Sequence, residues 1–184
     1  MPRKIIAGLT DYNSSLILAI DCGAKGALAW IHPDGSLHHI EDMPIVEVRG
    51  KKRVSASGIT QIMKQHVASL VVIEQAQAMP RKNKDAEGAT DGTETKMGAA
   101  STGAFFYGAG ILEGAATALG LPVEIIHPRT WKTRSGTPAD KGAARQMAQR
   151  LFPEFAGLFK RKMDDGRADA ALLGRWAALK ASGE

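Results

Sequence analysis

Two apolar runs that each break off in a carboxylate constrain this chain more than any other feature. Leu16-Ile17-Leu18-Ala19-Ile20 is followed at once by Asp21-Cys22-Gly23-Ala24-Lys25-Gly26, and Val71-Val72-Ile73 ends in Glu74-Gln75. Continuous apolar runs bounded by turn residues read as strands buried on both faces, which puts Asp21 and Glu74 at the carboxyl ends of buried strands. A charge at such a tip is stable only when it is paired, hydrogen-bonded or bound to a metal. Both acids therefore need partners from elsewhere in the chain.

A length of 184 residues suffices for one domain with a real core. The expected organisation is a loosely held arm over 1–14 and a single domain over 15–184. After the first strand, Ala27–Ile31 and Leu37–Met43 flank the hairpin signal Pro33-Asp34-Gly35 and complete three antiparallel strands. Residues 47–57, with Arg49, Lys51, Lys52 and Arg53, read as an exposed basic loop. Ile59, Ile62, Met63, His66, Val67 and Leu70 recur at helical spacing, so a helix is predicted before the strand at Val71. Residues 76–96 form a long polar loop carrying Arg81, Lys82 and Lys84.

From Met97 to Leu119 a helix is predicted, with Gly110, Gly114 and Ala118 on one face as a stripe for close helix contact. Val123–Ile126 is a strand, and Trp131-Lys132 fall in a short turn after it. Thr137-Pro138-Ala139-Asp140 then opens a helix, with a capping box and Pro at its first position. A last helix runs from Asp164-Asp165-Gly166 to about Lys180.

On that last helix Asp165 and Asp169 are four apart and lie within about 40° of each other, whereas Asp164 lies about 140° from Asp169. Asp165 is therefore the better companion of Asp169. The apolar residues Ala168, Leu172, Leu173 and Trp176 turn the Asp169 face inward. Four acids near a core, Asp21, Glu74, Asp165 and Asp169, must be neutralised together, and hard oxygen ligands suit Mg²⁺ or Mn²⁺. A pair of such ions about 3.5–4 Å apart is a device for phosphodiester hydrolysis. Taken singly, each acid has a plainer reading as a helix cap, a solvated helix residue or half of a surface ion pair. Those readings leave the two strand-tip acids unexplained.

Charge points the same way. The chain has 24 Lys and Arg against 19 Asp and Glu, and setting the four acids aside leaves 15 acids against 24 bases, or +9 for the remaining surface. Nucleic acid is the leading partner for such a surface. The single cysteine, Cys22, cannot form an internal disulfide, so a reducing cytoplasm is expected. Nothing near Cys22 in sequence activates it as a nucleophile. No apolar run approaches the roughly 20 residues of a membrane span.

At these residues the sequence resembles the RuvC-like Holliday junction resolvases of the RNase H-like superfamily, and compact, phage-type members above all. The likeness rests on Ile20-Asp21-Cys22-Gly23 with Gly26-Ala27, on Val72-Ile73-Glu74-Gln75, and on the Gly-rich helix ending in Ala118-Leu119-Gly120-Leu121-Pro122. Pro128-Arg129-Thr130-Trp131-Lys132 and Asp165-Gly166-Arg167-Ala168-Asp169-Ala170 complete it, so it spans roughly Leu16 to Leu179. It implies an α/β fold built on a five-stranded mixed sheet, three antiparallel strands then two parallel, flanked by helices. It also implies a homodimer and a Mg²⁺-dependent endodeoxyribonuclease in the cytoplasm of a bacterial or phage-infected cell. Asp21, Glu74, Asp165 and Asp169 would hold two Mg²⁺ ions per site, with Mn²⁺ able to substitute.

Lys132 and Lys141 match basic positions important in the family, and the resemblance places Lys132 among the catalytic groups. Arg145, four residues beyond Lys141, extends a phosphate-tracking stripe. Arg81, Lys82 and Lys84 would touch the DNA backbone. In two places the chain departs from the family's bacterial cellular members. Their last two acids are three apart rather than four, and an aromatic wedge follows the Glu where this chain has Gln77.

Phe105, Phe106 and Tyr107 suit core or dimer packing, or stacking on unpaired bases. His38, His39 and His127 have no ligand-like spacing and read as structural. The leading function is a resolvase that nicks four-way DNA junctions in symmetric pairs. The alternatives are a nuclease for flaps or other branched DNA and a non-catalytic junction-binding protein. Asp21–Gly26 also resembles the phosphate loop of actin-like and sugar kinase ATPases, but the chain is too short for their two lobes.

Overall fold

The computed structural model describes residues 16–77, 80–81, 95–96 and 99–183. The arm over 1–14, Lys82 and Lys84 lie outside the described residues, and Arg81 is described only through its backbone.

Strand β1 (Leu16–Ile20) is the middle of a five-stranded sheet. It pairs antiparallel with β2 (Ala27–Ile31), which in turn pairs antiparallel with β3 (Leu37–Asp42). On its other side β1 pairs in parallel with β6 (Ala68–Glu74), and β6 pairs in parallel with β9 (Val123–Ile126). The spatial order β3-β2-β1-β6-β9 is the mixed sheet expected from the sequence.

Helices cover both faces, which is why all five residues of β1 are buried. Leu16, Leu18, Ile20, Leu28 and Trp30 pack under α1 (Ala56–Gln65) and α2 (Ala99–Ala118). The alternating residues Ile17, Ala19, Ala27, Ala29 and Ile31 pack under α4 (Lys141–Leu151) and α5 (Asp165–Ser182). This second face is rich in alanine because α5 lies very close to the sheet. A Cβ on Gly174 would stand 2.5 Å from Ile31 Cγ1 and 3.0 Å from Ala19 Cβ. No helix among the described residues is long and apolar enough to cross a membrane.

Several elements differ from their sequence readings. Residues 47–57 are not a loop: β4 (Ile45–Val48) and β5 (Lys51–Val54) form a hairpin. Its turn residues Arg49 and Gly50 both have positive φ, 51° and 71°, as the tightest hairpin turns require. Helix α1 stops at Gln65, His66 and Val67 lead out of it, and Leu70 already belongs to β6, so the helix ends before the last three residues of the helical spacing. The apolar spacing there carries across a strand boundary, where both periods fit equally well. Two further two-residue strands, β7 (Pro80–Arg81) and β8 (Thr95–Lys96), pair antiparallel within the stretch read as a loop.

Trp131 and Lys132 lie not in a turn but in α3 (Pro128–Ser135), with Pro128 in its first turn and the left-handed Gly136 closing it. His127 caps this helix by accepting from Arg129 N through Nδ1. The cap of α4 is Asp140, which accepts from Ala143 N at 2.8 Å, so Thr137 does not open that helix. Gly103, Gly110 and Gly114 on α2 have nothing within 4 Å of where a Cβ would be, so that stripe makes no close contact inside the chain.

Candidate active site

The parallel register sets Ile20 beside Ile73, so the next residues, Asp21 and Glu74, are neighbours on adjacent strands about 4.8 Å apart. Both strands end here, which leaves the two carboxyl groups at the carboxyl ends of two inner strands rather than within the sheet. Asp21 is tied to its own turn, accepting from Gly23 N at 3.4 Å. Its pKa is pushed up to about 7, by burial first and then by the negative charges of Glu74 and Asp169. Burial also raises Glu74, and Lys132 and a hydrogen bond from Trp131 oppose that rise.

Helix α5 brings the other two acids to the same strand ends. Its first turn meets the turn after β1 so closely that a Cβ on Gly166 would lie 2.3 Å from Lys25 O and 3.1 Å from Asp21 Oδ2. Only glycine permits this approach. Asp165 and Asp169 flank it. Asp169 accepts from Lys132 Nζ at 3.0 Å, and Asp165 is engaged by Arg145 and by Lys141 Nζ, the latter at 3.6 Å. Asp164 faces away from this group. It is buried and held by Arg161, which donates through its backbone N at 2.8 Å and its guanidinium at 2.8 Å. Burial opposes its ionisation, yet the Arg161 hydrogen bonds keep its carboxyl below the usual range.

Helix α3 supplies consecutive residues to two acids. Trp131, fully buried, donates its indole N–H to Glu74 Oε2 at 2.8 Å, and Lys132 pairs with Asp169 while lying 5.0 Å over the Trp131 ring. The structure thus gathers Asp21, Glu74, Asp165, Asp169, Lys132, Lys141 and Arg145 at the carboxyl ends of β1 and β6. Trp131 was missed by sequence reasoning. The signal that could have found it was the Pro128 and Gly136 pair, which marks a helix start and end and so places 131 on a face toward the sheet.

The acids do not form a closed cage as they stand: among the described residues no group of three His, Cys, Asp or Glu side chains converges to hold an ion. Each is drawn to its own donor, Glu74 to Trp131, Asp169 to Lys132 and Asp165 to Arg145. The donor set still fits a hard cation. All four candidate groups are carboxylates, and burial, then the charges of Glu74 and Asp169, push Asp21 toward neutrality, an electrostatic deficit that a divalent ion would remove.

Other residues fall outside this group. Cys22 is buried beside Asp21, and burial together with the Asp21 and Glu74 charges pushes its thiol up to about 12, so it is no nucleophile. Gln77 pairs with His127 instead of projecting as a wedge. His32, His38, His39 and His66 pack ring against ring, with successive centroids 4.6–5.3 Å apart, a cluster that their sequence spacing does not reveal. Phe106 and Tyr107 are exposed at 46% and 57%, and Phe105 packs against the core. A cavity of about 360 Å³ lies among α3, α4 and the C-terminal half of α5, and none of the four acids lines it.

No family model matches the sequence, and no curated protein is similar to it in sequence. Its fold does match solved structures. It superposes on the Thermus thermophilus RuvC structure with a TM-score of 0.59 at 18% identity, over 91% of this chain and 96% of that one. It superposes on T. thermophilus RuvC in complex with Holliday junction substrate with a TM-score of 0.56 at 17% identity, over 92% and 96% of the two chains. The chain therefore has the RNase H-like fold of RuvC.

Proposed function

We propose that this protein is a Holliday junction resolvase, a Mg²⁺-dependent endodeoxyribonuclease that hydrolyses phosphodiesters at four-way junctions. The observation that carries this reading is the meeting of Asp21, Glu74 and Asp169 at the carboxyl ends of β1 and β6, where burial first, and then the charges of Glu74 and Asp169, raise the Asp21 pKa to about 7. An acid shifted by burial and by two specific acidic neighbours marks a candidate functional site. The RuvC-like fold, one of whose solved examples is bound to a Holliday junction, supports the same class of substrate.

Asp21, Glu74, Asp165 and Asp169 would hold the metal. When bound, Mg²⁺ supplies positive charge to the attacking, leaving and non-bridging oxygens of the phosphate. The chain's own residues do the rest. Trp131 fixes the Glu74 carboxylate by its indole N–H, so that Glu74 presents one defined oxygen to the site. Lys132 holds Asp169 and lies where its ammonium can offset charge developing on the phosphate. Lys141, exposed on the first turn of α4, and Arg145 one turn later offer cations to the DNA backbone. Arg81, Lys82 and Lys84 would be further contacts to the DNA backbone, on their charge alone.

A homodimer fits the substrate, because a two-fold axis carries a pair of sites to opposed strands of a junction. The open face of α2, with Gly110, Gly114, Phe106 and Tyr107, is the surface offered for it. The test is cleavage of a synthetic four-way junction with Mg²⁺, Ca²⁺ or EDTA, with nicks mapped on every strand. Paired symmetric nicks in Mg²⁺ are expected, with none for Asp21→Asn. Equal cleavage of flaps and junctions would replace the resolvase with a general branched-DNA nuclease, and junction binding unaccompanied by cleavage would leave a binding protein.

A further inference from the structure

The β4–β5 hairpin takes no part in the acid site, yet it carries Arg49, Lys51, Lys52 and Arg53, all exposed. Its position is fixed rather than floppy. Val54 is buried against α2, where a Cβ on Gly108 would already stand 3.1 Å from Val54 Cγ2, and Ser55 N donates to Pro44 O at 2.9 Å to close the base of the hairpin. Arg53 is held along α2 with its guanidinium 5.8 Å over the Tyr107 ring.

Between the hairpin, α2 and the turn after β1 lies a cavity of about 280 Å³. Lys52 and Arg53 line one side, Phe105 and Gly108 another, and Cys22 and Ala24 the third. Cys22 faces the α2 side of the sheet while Asp21 faces α5, and the Cys22 thiol still feels the Asp21 and Glu74 charges, so the cavity lies beside the acid site, across the tip of β1. Its volume is just under the range of about 300–1,000 Å³ typical of small-molecule sites. Its lining combines an aromatic ring, small residues and two cations with no acid. That is the chemistry of a single-strand binding platform, a ring for a base to stack on and cations for its phosphates.

We propose that this cavity receives the nucleobase of an unpaired nucleotide next to the phosphate held at the acids, with Phe105 as its stacking surface and Lys52 and Arg53 on the flanking phosphates. This rests on the nuclease reading, and it supplies a junction-holding element in a chain whose Gln77 is occupied by His127.

The experiment uses the full chain with four-way junctions carrying 2-aminopurine at single positions around the branch, in Ca²⁺ for binding and Mg²⁺ for cleavage. For the wild type, 2-aminopurine fluorescence should shift on binding at the position beside the nick. Lys52→Glu with Arg53→Glu should weaken binding at least about tenfold at moderate salt and lower the salt slope by about two, one per lost phosphate contact. Phe105→Ala should abolish the fluorescence shift, and Phe105→Tyr should restore it. Thermal unfolding screens the Phe105 variants, and if Phe105→Ala does not fold, the exposed hairpin pair decides by itself. A hairpin variant that binds with the wild-type affinity and salt slope overturns the proposal while the nuclease reading stands. A wild type that neither binds nor cleaves junctions overturns the nuclease reading, and this proposal with it.

Discussion

Lys132 Nζ donates to Asp169 Oδ1 at 3.0 Å, joining the helix after the last strand to the first turns of the C-terminal helix. The ammonium is 25% exposed and the carboxylate 15%, so the pair is screened enough to form yet open enough to meet a phosphate. Lys132→Ala should reduce junction cleavage about 10²–10³-fold, the usual loss for one electrostatic donor, while junction affinity changes only a few-fold. Single-turnover cleavage beside a binding titration in Ca²⁺ separates the two. A parallel loss of both would make Lys132 a DNA-contact residue instead.

Asp21 makes the metal-free protein sensitive to pH. Its folded pKa, about 7, lies above the ordinary 3.8, so the folded state binds a proton more tightly than the unfolded state does. Stability from this group is present at low pH and is lost as pH rises from about 4 to about 7. In EDTA, Asp21→Asn should be more stable than the wild type at pH 8 by up to about 4 kcal/mol, with the difference vanishing near pH 4. Urea unfolding at both pH values measures this. Mg²⁺ at pH 8 should stabilise the wild type and not the variant.

Trp131 acts on the site through one hydrogen bond. Trp131→Phe keeps a ring in the core but removes the donor to Glu74 Oε2 and leaves a small void. A stability loss of about 1–3 kcal/mol is expected from the orphaned acceptor and void. Mg²⁺ affinity should fall about 10–100-fold, as when a ligand loses its orienting partner. Calorimetric Mg²⁺ titration is the check.

Gly166 has no room for a side chain. In Gly166→Ala the new Cβ would press on Lys25 O, 2.3 Å away, and on Asp21 Oδ2, 3.1 Å away. Backbone cannot yield cheaply there, so the variant should lose cleavage and unfold at lower urea. Gly110→Ala, whose Cβ meets nothing within the chain, should raise the stability of a single protomer by up to about 1 kcal/mol through helix propensity. A loss of cleavage in Gly110→Ala would then report on the proposed homodimer.

The histidine cluster should weaken the fold in mild acid. Burial, then the neighbouring His32, His66 and His39, lowers the His38 pKa; burial and His39 lower that of His66, against the pull of Glu41. With depressed folded values, stability is present above the ordinary pKa of about 6.5 and is lost as pH falls through the folded ones. His66→Asn should flatten the drop in melting temperature between pH 7 and pH 5.

The parts legible from sequence were those fixed by local burial. The runs at 16–20 and 71–73 could only be buried strands, and their abrupt ends put Asp21 and Glu74 at strand tips. The period of the last helix put Asp165 rather than Asp164 on the side of Asp169, and the structure holds Asp164 away through Arg161. Tertiary structure alone decided the rest. Which cation meets which acid, the indole on Glu74, the histidine cluster and the seating of the basic hairpin on α2 all depend on residues that are distant in sequence. Periodicity within one element carries no information about a partner in another. The glycines show the difference most plainly: Gly110 and Gly114 have the spacing of a close contact and make none within the chain, while Gly166 and Gly174 are where α5 meets the turn after β1 and the sheet.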